Sequence, residues 1–196
     1  ADTDPINSHR MAGFKYIDLP EKIKDELDTY QLSIVVISEA EDADIEEMFL
    51  RLQNGTTLKA AERRNAISGK TRDFVRSLTK NIFLKKIITF KDIRFAFNAV
   101  IAQMLAVELA NGPIDIKDRD LEAIYRDNTF DPNGRAANDL KRVLRFLYRE
   151  FKEKTPELKK QVLISLYLMT SDLLKNYNIS QVLRRGKLKE WFLGFE

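Results

Sequence analysis

The sequence predicts a mainly α protein, a helical bundle carrying one short β-strand, on three observations. Apolar residues recur at helical spacing through most of the chain: Ile45, Met48, Phe49 and Leu52 fall at i, i+3, i+4 and i+7, and Phe97, Val100, Ile101, Met104 and Leu105 repeat the pattern. A single run, LSIVVI at residues 32–37, is rich in β-branched residues with little alternation, and reads as a strand covered on both faces. At 196 residues the chain is long enough to bury a sizeable core, as one domain or as a domain with a helical appendage.

Taken in order, residues 1–13 form a polar leader expected to be flexible, 14–130 a first helical part, and 131–196 a C-terminal helical subdomain. Pro20 suits the first turn of a short helix over 21–30, with Ile23 and Leu27 facing inward. The strand at 32–37 follows, and only KIITF at 86–90 is a weak second strand candidate. With so few neighbours to pair with, the backbone of 32–37 must borrow strands from a partner, or the chain is a fragment that lacks them. Dimerisation through that edge is the matching expectation.

A helix from Asp42 should stop at Asn54-Gly55, where a left-handed residue is least costly for glycine, and Thr57 can cap a second helix over 58–68. Further helices are expected over 71–83, with Phe74, Leu78 and Ile82 on one stripe, and over 91–110, stopped by Gly112-Pro113. A helix over 117–127 leads into the loop NTFDPNG, the expected subdomain boundary. Residues 135–154 are sharply amphipathic, with Leu140, Val143, Leu144, Leu147 and Phe151 on one face. Thr155-Pro156 then caps a last long helix bearing Leu158, Val162, Leu166, Met169 and Leu173, expected to pair with the one before it. In the tail, Trp191 and Phe192 are expected to dock onto the bundle, although a basic-aromatic tail can also meet nucleic acid.

Two polar constellations stand out. At the corner between the paired helices, Arg51 on the first and Glu62, Arg64 and Asn65 on the second cluster beside Gly55, which can make either a charge-paired lock or an anion site. On 135–154, Arg142, Arg145, Arg149 and Lys152 line the face opposite the apolar stripe. Such a row can follow a phosphate backbone; Asp139, Glu150 and Glu153 dilute it, and an ordinary solvated face is the other reading.

The matching residues Phe49, Arg51, Leu52, Gly55, Leu58, Glu62, Arg64, Asn65 and Ala66 resemble the second signature of the GmrSD-type restriction endonuclease N-terminal domain family, a ParB-like domain. The resemblance runs from about Phe14 to Asn128, with Gln53 where the family has asparagine and without the family's D-G-Q-Q-R motif. It implies that the strand is a remnant of an α+β ParB-like domain, and that the chain is the helical portion of a nucleotide-sensing, DNA-binding domain of a prokaryotic antiviral restriction system. Catalysis by this chain alone is not implied, since neither D-G-Q-Q-R nor an HNH-type histidine cluster is present. The implied nucleotide or anion site comprises Arg51, Gln53, Asn54, Gly55, Glu62, Arg64 and Asn65. In it Arg51 meets phosphate, Glu62 orients Arg51 or Arg64, and Asn65 bonds sugar or base. A nucleoside triphosphate with Mg is the cofactor implied for the intact parent domain, and the partners are DNA and the ParB-like region or another chain. A helical protein–protein interaction module with a purely structural corner is the competing expectation.

Composition excludes much else. Cysteine is absent, so disulfides, thiolate metal sites and a cysteine nucleophile are out; with no export signal this points to the cytoplasm. His9, the single histidine, sits in the leader, and no metal site is expected; Asp127, Asp131 and Asn133 lack EF-hand spacing. No apolar window is long enough to span a membrane. Residues 1–50 hold 13 acidic and 4 basic side chains, a net of −9, so the remainder carries +12 of the overall +3. The later part is therefore expected to face an anionic partner, or the first part.

Overall fold

The apolar stripes close onto helices in the computed structural model, which describes residues 13–34, 36–52, 58–177 and 186–194. Among these the α-helices are α1 (Glu21–Asp28), α2 (Asp42–Leu52), α3 (Ala60–Ala66), α4 (Lys70–Leu78), α5 (Ile82–Lys86), α6 (Ala96–Ala110), α7 (Asp118–Arg126), α8 (Arg135–Glu150), α9 (Lys160–Asn176) and α10 (Lys187–Leu193). The chain divides into two units, Ala1–Ala40 and Glu41–Glu196.

The first unit holds a 3-10 turn at Tyr16–Asp18 and α1, whose Ile23 is buried while Leu27 stays half exposed. The Tyr16 hydroxyl donates to Asp28 Oδ2 at 2.6 Å, which raises the phenol above its ordinary pKa. After α1 none of the described residues forms the expected strand. Residues 32–34 and 36–37 have no regular secondary structure, and Leu32, Ile34 and Val36 are 75, 80 and 81% exposed. β-branched residues favour extended backbone, but a strand exists only where a neighbour takes its hydrogen bonds, and none of the described residues does so. KIITF is no strand either: Ile87 caps α5 and is buried with Ile88 in the core.

In the second unit α6 is the axis. Its run AFNAVIAQMLAVELA is apolar almost all round, and it packs against α3, α4, α7, α8 and α9. It begins at Ala96 and not near Lys91, because Arg94 and Phe95 take positive φ of 52° and 60°; Asp92 Oδ1 then accepts from Phe97 N at 2.9 Å. It ends on Asn111, also left-handed, with Gly112 N donating back to Val107 O at 3.1 Å. The helix expected over 71–83 is divided into α4 and α5 by Asn81, whose side chain accepts from Phe83 N. α8 buries Leu140, Val143, Leu144 and Leu147 as its stripe requires, but stops at Glu150, so Lys152 lies beyond it.

The loop over 128–134 is a turn inside this unit, not a boundary: Phe130 packs edge-on against Phe74 at 5.2 Å, and α6, before the loop, packs on α8 and α9 after it. One apolar cluster runs from Ile67 to Leu188. In the tail, Leu188 is buried and Phe192 meets Phe151 at 5.7 Å, whereas Trp191 remains half exposed. α10 is held by a carboxylate: Glu150 Oε2 accepts from Gly186 N at 2.9 Å and Leu188 N at 3.4 Å.

Leu144 is fully buried on the α8 stripe. Leu144→Ala should therefore lower stability by about 2–5 kcal/mol in denaturant titration, without a change in slope.

Candidate functional site

Helix α3 carries Glu62, Arg64 and Asn65 and is fixed from both sides. Lys59 N donates to Glu62 Oε2 at 2.7 Å, as in a capping box. The same carboxylate receives Arg94 in bidentate fashion, Nε on Oε1 and Nη2 on Oε2, both at 2.7 Å. Arg94 first, then the Lys59 amide, holds the Glu62 carboxyl down to about 2, while Glu62 raises Arg94. Two residues on, Arg64 is 4% exposed and donates from Nη1 to Asp118 Oδ1 at 3.0 Å, at the start of α7. Tyr125 on that helix is pushed up to about 12 by burial, against the opposing charge of Arg64.

The corner residues thus each take a different partner. Glu62 engages Arg94 and neither Arg51 nor Arg64. Arg51 pairs with Glu47 one turn back on α2 and is largely exposed; such a pair contributes only a few tenths of a kcal/mol. Asn65 Oδ1 is buried with no hydrogen-bond partner among the described residues. Gln53, Asn54 and Gly55, and with them the expected turn, lie outside the described residues. Arg94 and Asp118 stand 32 and 54 residues from their partners, a separation that no local motif reveals.

The cationic row of α8 is only partly free. Arg142 Nη2 donates to Leu174 O on α9 at 2.8 Å. Arg149 lies over the Phe146 ring at 4.5 Å and bonds Glu150 at 3.2 Å. Arg145 and Lys152 are exposed and have no side-chain partner among the described residues. The row therefore offers two anchored and two available cations, one of the latter past the helix end.

A further polar cluster joins α6 to α9. Glu108 is buried, and its Oε1 accepts from the Tyr167 hydroxyl at 2.6 Å and Ser171 Oγ at 2.7 Å. Lys175 Nζ lies 2.7 Å from Oε2 as an ion pair, off the hydrogen-bonding direction, and donates to Asn111 Oδ1 at 3.2 Å. Burial, reinforced by Glu108, pushes the Tyr167 phenol well above its ordinary value. The cluster underlies a cleft of about 440 Å³ whose walls include Asn111, Arg135, Met169, Asp172 and Lys175. A lone glutamate inside the apolar α6 run was the signal in the sequence that could have found it. Among the described residues no group of three acidic or histidine side chains could hold a metal ion.

Compared with known proteins, the chain matches no family model, no curated protein and no solved structure.

Because the Glu62 carboxyl is depressed from 4.5 to about 2, its pair with Arg94 contributes stability that is present above pH 4.5 and lost as pH falls toward 2. Arg94→Gln should flatten that part of the stability–pH curve, measured by thermal melting across pH 2–5, because a neutral partner no longer holds the carboxylate ionised.

Proposed function

We propose that the chain is the helical, non-catalytic portion of a GmrSD-type, ParB-like nucleotide-sensing and DNA-binding domain of a prokaryotic antiviral restriction system, acting in the cytoplasm. The observation that supports it is the division of labour in the signature. Glu62 is fixed to the segment before α6 and Arg64 to α7, a rigid base for a site, while Arg51 remains exposed on a weak pair. Arg51 is thereby the residue able to change partners and take a phosphate, with Asn65 beside the base and Glu62 setting the helix that carries Asn65. The nucleoside triphosphate and its Mg would need the ParB-like region, or a partner chain, to complete the site. DNA is assigned to the available cations Arg145 and Lys152.

A second reading is favoured by a specific observation: Glu62 and Arg64 are both spent on internal partners, as a purely structural lock in a helical interaction module requires.

Titration of the chain with Mg-ATP and Mg-GTP separates the two. On the first reading a triphosphate binds, and Arg51→Gln weakens it about tenfold or more, the worth of a charge-assisted hydrogen bond. No binding, or equal binding by the variant, gives the corner to the structural lock.

For DNA, substituting Arg145 and Lys152 by glutamine should make log affinity against log salt shallower by about 0.9 for each phosphate no longer neutralised, with little change in stability. Arg142→Gln should instead lower stability, because it removes the bond to the Leu174 carbonyl. Identical salt slopes in a series of binding isotherms would return the row to solvent.

A further inference from the structure

Many cations of the larger unit are matched by carboxylates: Arg64, Arg94, Arg126, Lys175 and Lys189 each meet an acid. At one end of the bundle the matching stops. Lys85, Lys86, Lys91, Lys154, Lys159 and Lys160 are exposed, and none has a carboxylate within ion-pair distance among the described residues. The fold gathers them from two stretches of chain, which Thr155 N joins by donating to Ile87 O at 3.0 Å. Residues 81–91 hold no acid, and just beyond them Asp92 is occupied by Phe97 N. On the other stretch Glu153 is taken by Lys189, which leaves the half-buried Glu157. Like charges left uncompensated repel one another and lower stability, so the patch is held at a cost that an anion would relieve.

An aromatic pair lies among these lysines. Phe90 and Phe97 meet edge to face at 5.7 Å, with Lys160 Nζ 5.5 Å from the centre of the first ring and Lys85 Nζ 5.1 Å from that of the second. Phe97 is buried, but Phe90 is partly exposed and walls a groove of about 340 Å³ together with Pro156, Leu158, Lys159 and Lys160. No acidic side chain lines that groove among the described residues. A flat ring entering it has only one ammonium to displace from Phe90, and a stacked base is worth more than an exposed cation–π contact. The displaced Lys160 stays within reach of a phosphate attached to that base. A duplex keeps its bases inside its own stack and offers the groove phosphate alone. An acidic polypeptide offers carboxylates without the flat ring.

We propose that this groove binds single-stranded nucleic acid, a base stacking on Phe90 while the neighbouring phosphates meet Lys159, Lys160 and the lysines of 85–91. The site shares no residue with the α3 corner or with the cationic row of α8, and it stands whether or not those bind.

The probe is a fluorescein-labelled oligothymidylate of about 12 nucleotides, titrated with the full chain by anisotropy over a salt series. An oligouridylate of the same length is measured beside it, since the two share this chemistry, and the tighter binder names the natural strand. Lys159→Gln with Lys160→Gln should make log affinity against log salt shallower by about 0.7 for each phosphate no longer neutralised, with melting unchanged. Phe90→Leu should weaken binding about fivefold or more and leave the salt slope as it was, because it removes a stacking face and no charge. Phe90→Tyr keeps the ring and should bind as the parent does. Arg145→Gln, on α8, should also bind as the parent does. A duplex bound as tightly as the single strand, or full binding by Phe90→Leu, overturns the proposal. So does displacement of the strand by polyglutamate at equal charge, which assigns the patch to an acidic polypeptide. Absence of binding at low salt overturns it as well and returns the lysines to solvent.

Discussion

The arrangement of the larger unit depends on one buried carboxylate. Glu108 is the one charged residue of an almost wholly apolar helix that neighbours enclose on nearly every side, and a buried carboxylate there is tolerated only if partners meet it. Those partners, Tyr167, Ser171 and Lys175, recur every four residues along a single stripe of α9. Sliding α9 by one helical turn, about 5.4 Å, would leave the carboxylate facing the wrong members of that stripe. Apolar packing alone tolerates such shifts far better, because one leucine can replace another. The cluster thus fixes which residues of α6 and α9 meet, and through α9 it fixes the Leu174 carbonyl that receives Arg142.

A comparable division appears at the other end of α6. Two consecutive left-handed residues, Arg94 and Phe95, are an unusual conformation for side-chain-bearing residues, of order 1–3 kcal/mol each. Their position explains why the turn persists: Arg94 is clamped on Glu62 and Asp92 caps the helix that follows. Strain in the backbone and charge pairing in the side chains are two halves of one joint. The joint sets the direction in which α3 presents Asn65.

Helix existence was legible because burial imposes its period on the sequence, and the stripes of α6, α8 and α9 are read directly from Phe97, Leu140 or Leu166 and their repeats. Helix ends were less so. Nothing local at Lys91 announces that φ turns positive at Arg94, and nothing at Phe151 announces that Glu150 must turn aside to meet α10. The corner was recognised as a cluster of the right residue types but with the wrong partners, since Arg94 and Asp118 arrive only through the tertiary fold. The run at 32–37 failed for a different reason: its propensity is written in its own residues, whereas its pairing belongs to whatever lies alongside. The cluster at Glu108 was visible as one misplaced acid, but its three partners sit about sixty residues away.

α10 is joined to the body by an unusual division of chemistry. The grip of Glu150 falls on main-chain N–H groups, and every residue except proline supplies one. Residue 187 can therefore vary in side chain without loosening the clasp, whereas Gly186 holds a left-handed φ of 91° that favours glycine and Leu188 fills the core. The information for attaching the tail is thus shared, with the polar anchor held by α8 and the apolar one by the tail. What the tail must bring is short, a left-handed residue at 186, Leu188 for the core, Lys189 for Glu153 and Phe192 for Phe151, and residue 150 is the socket that receives it.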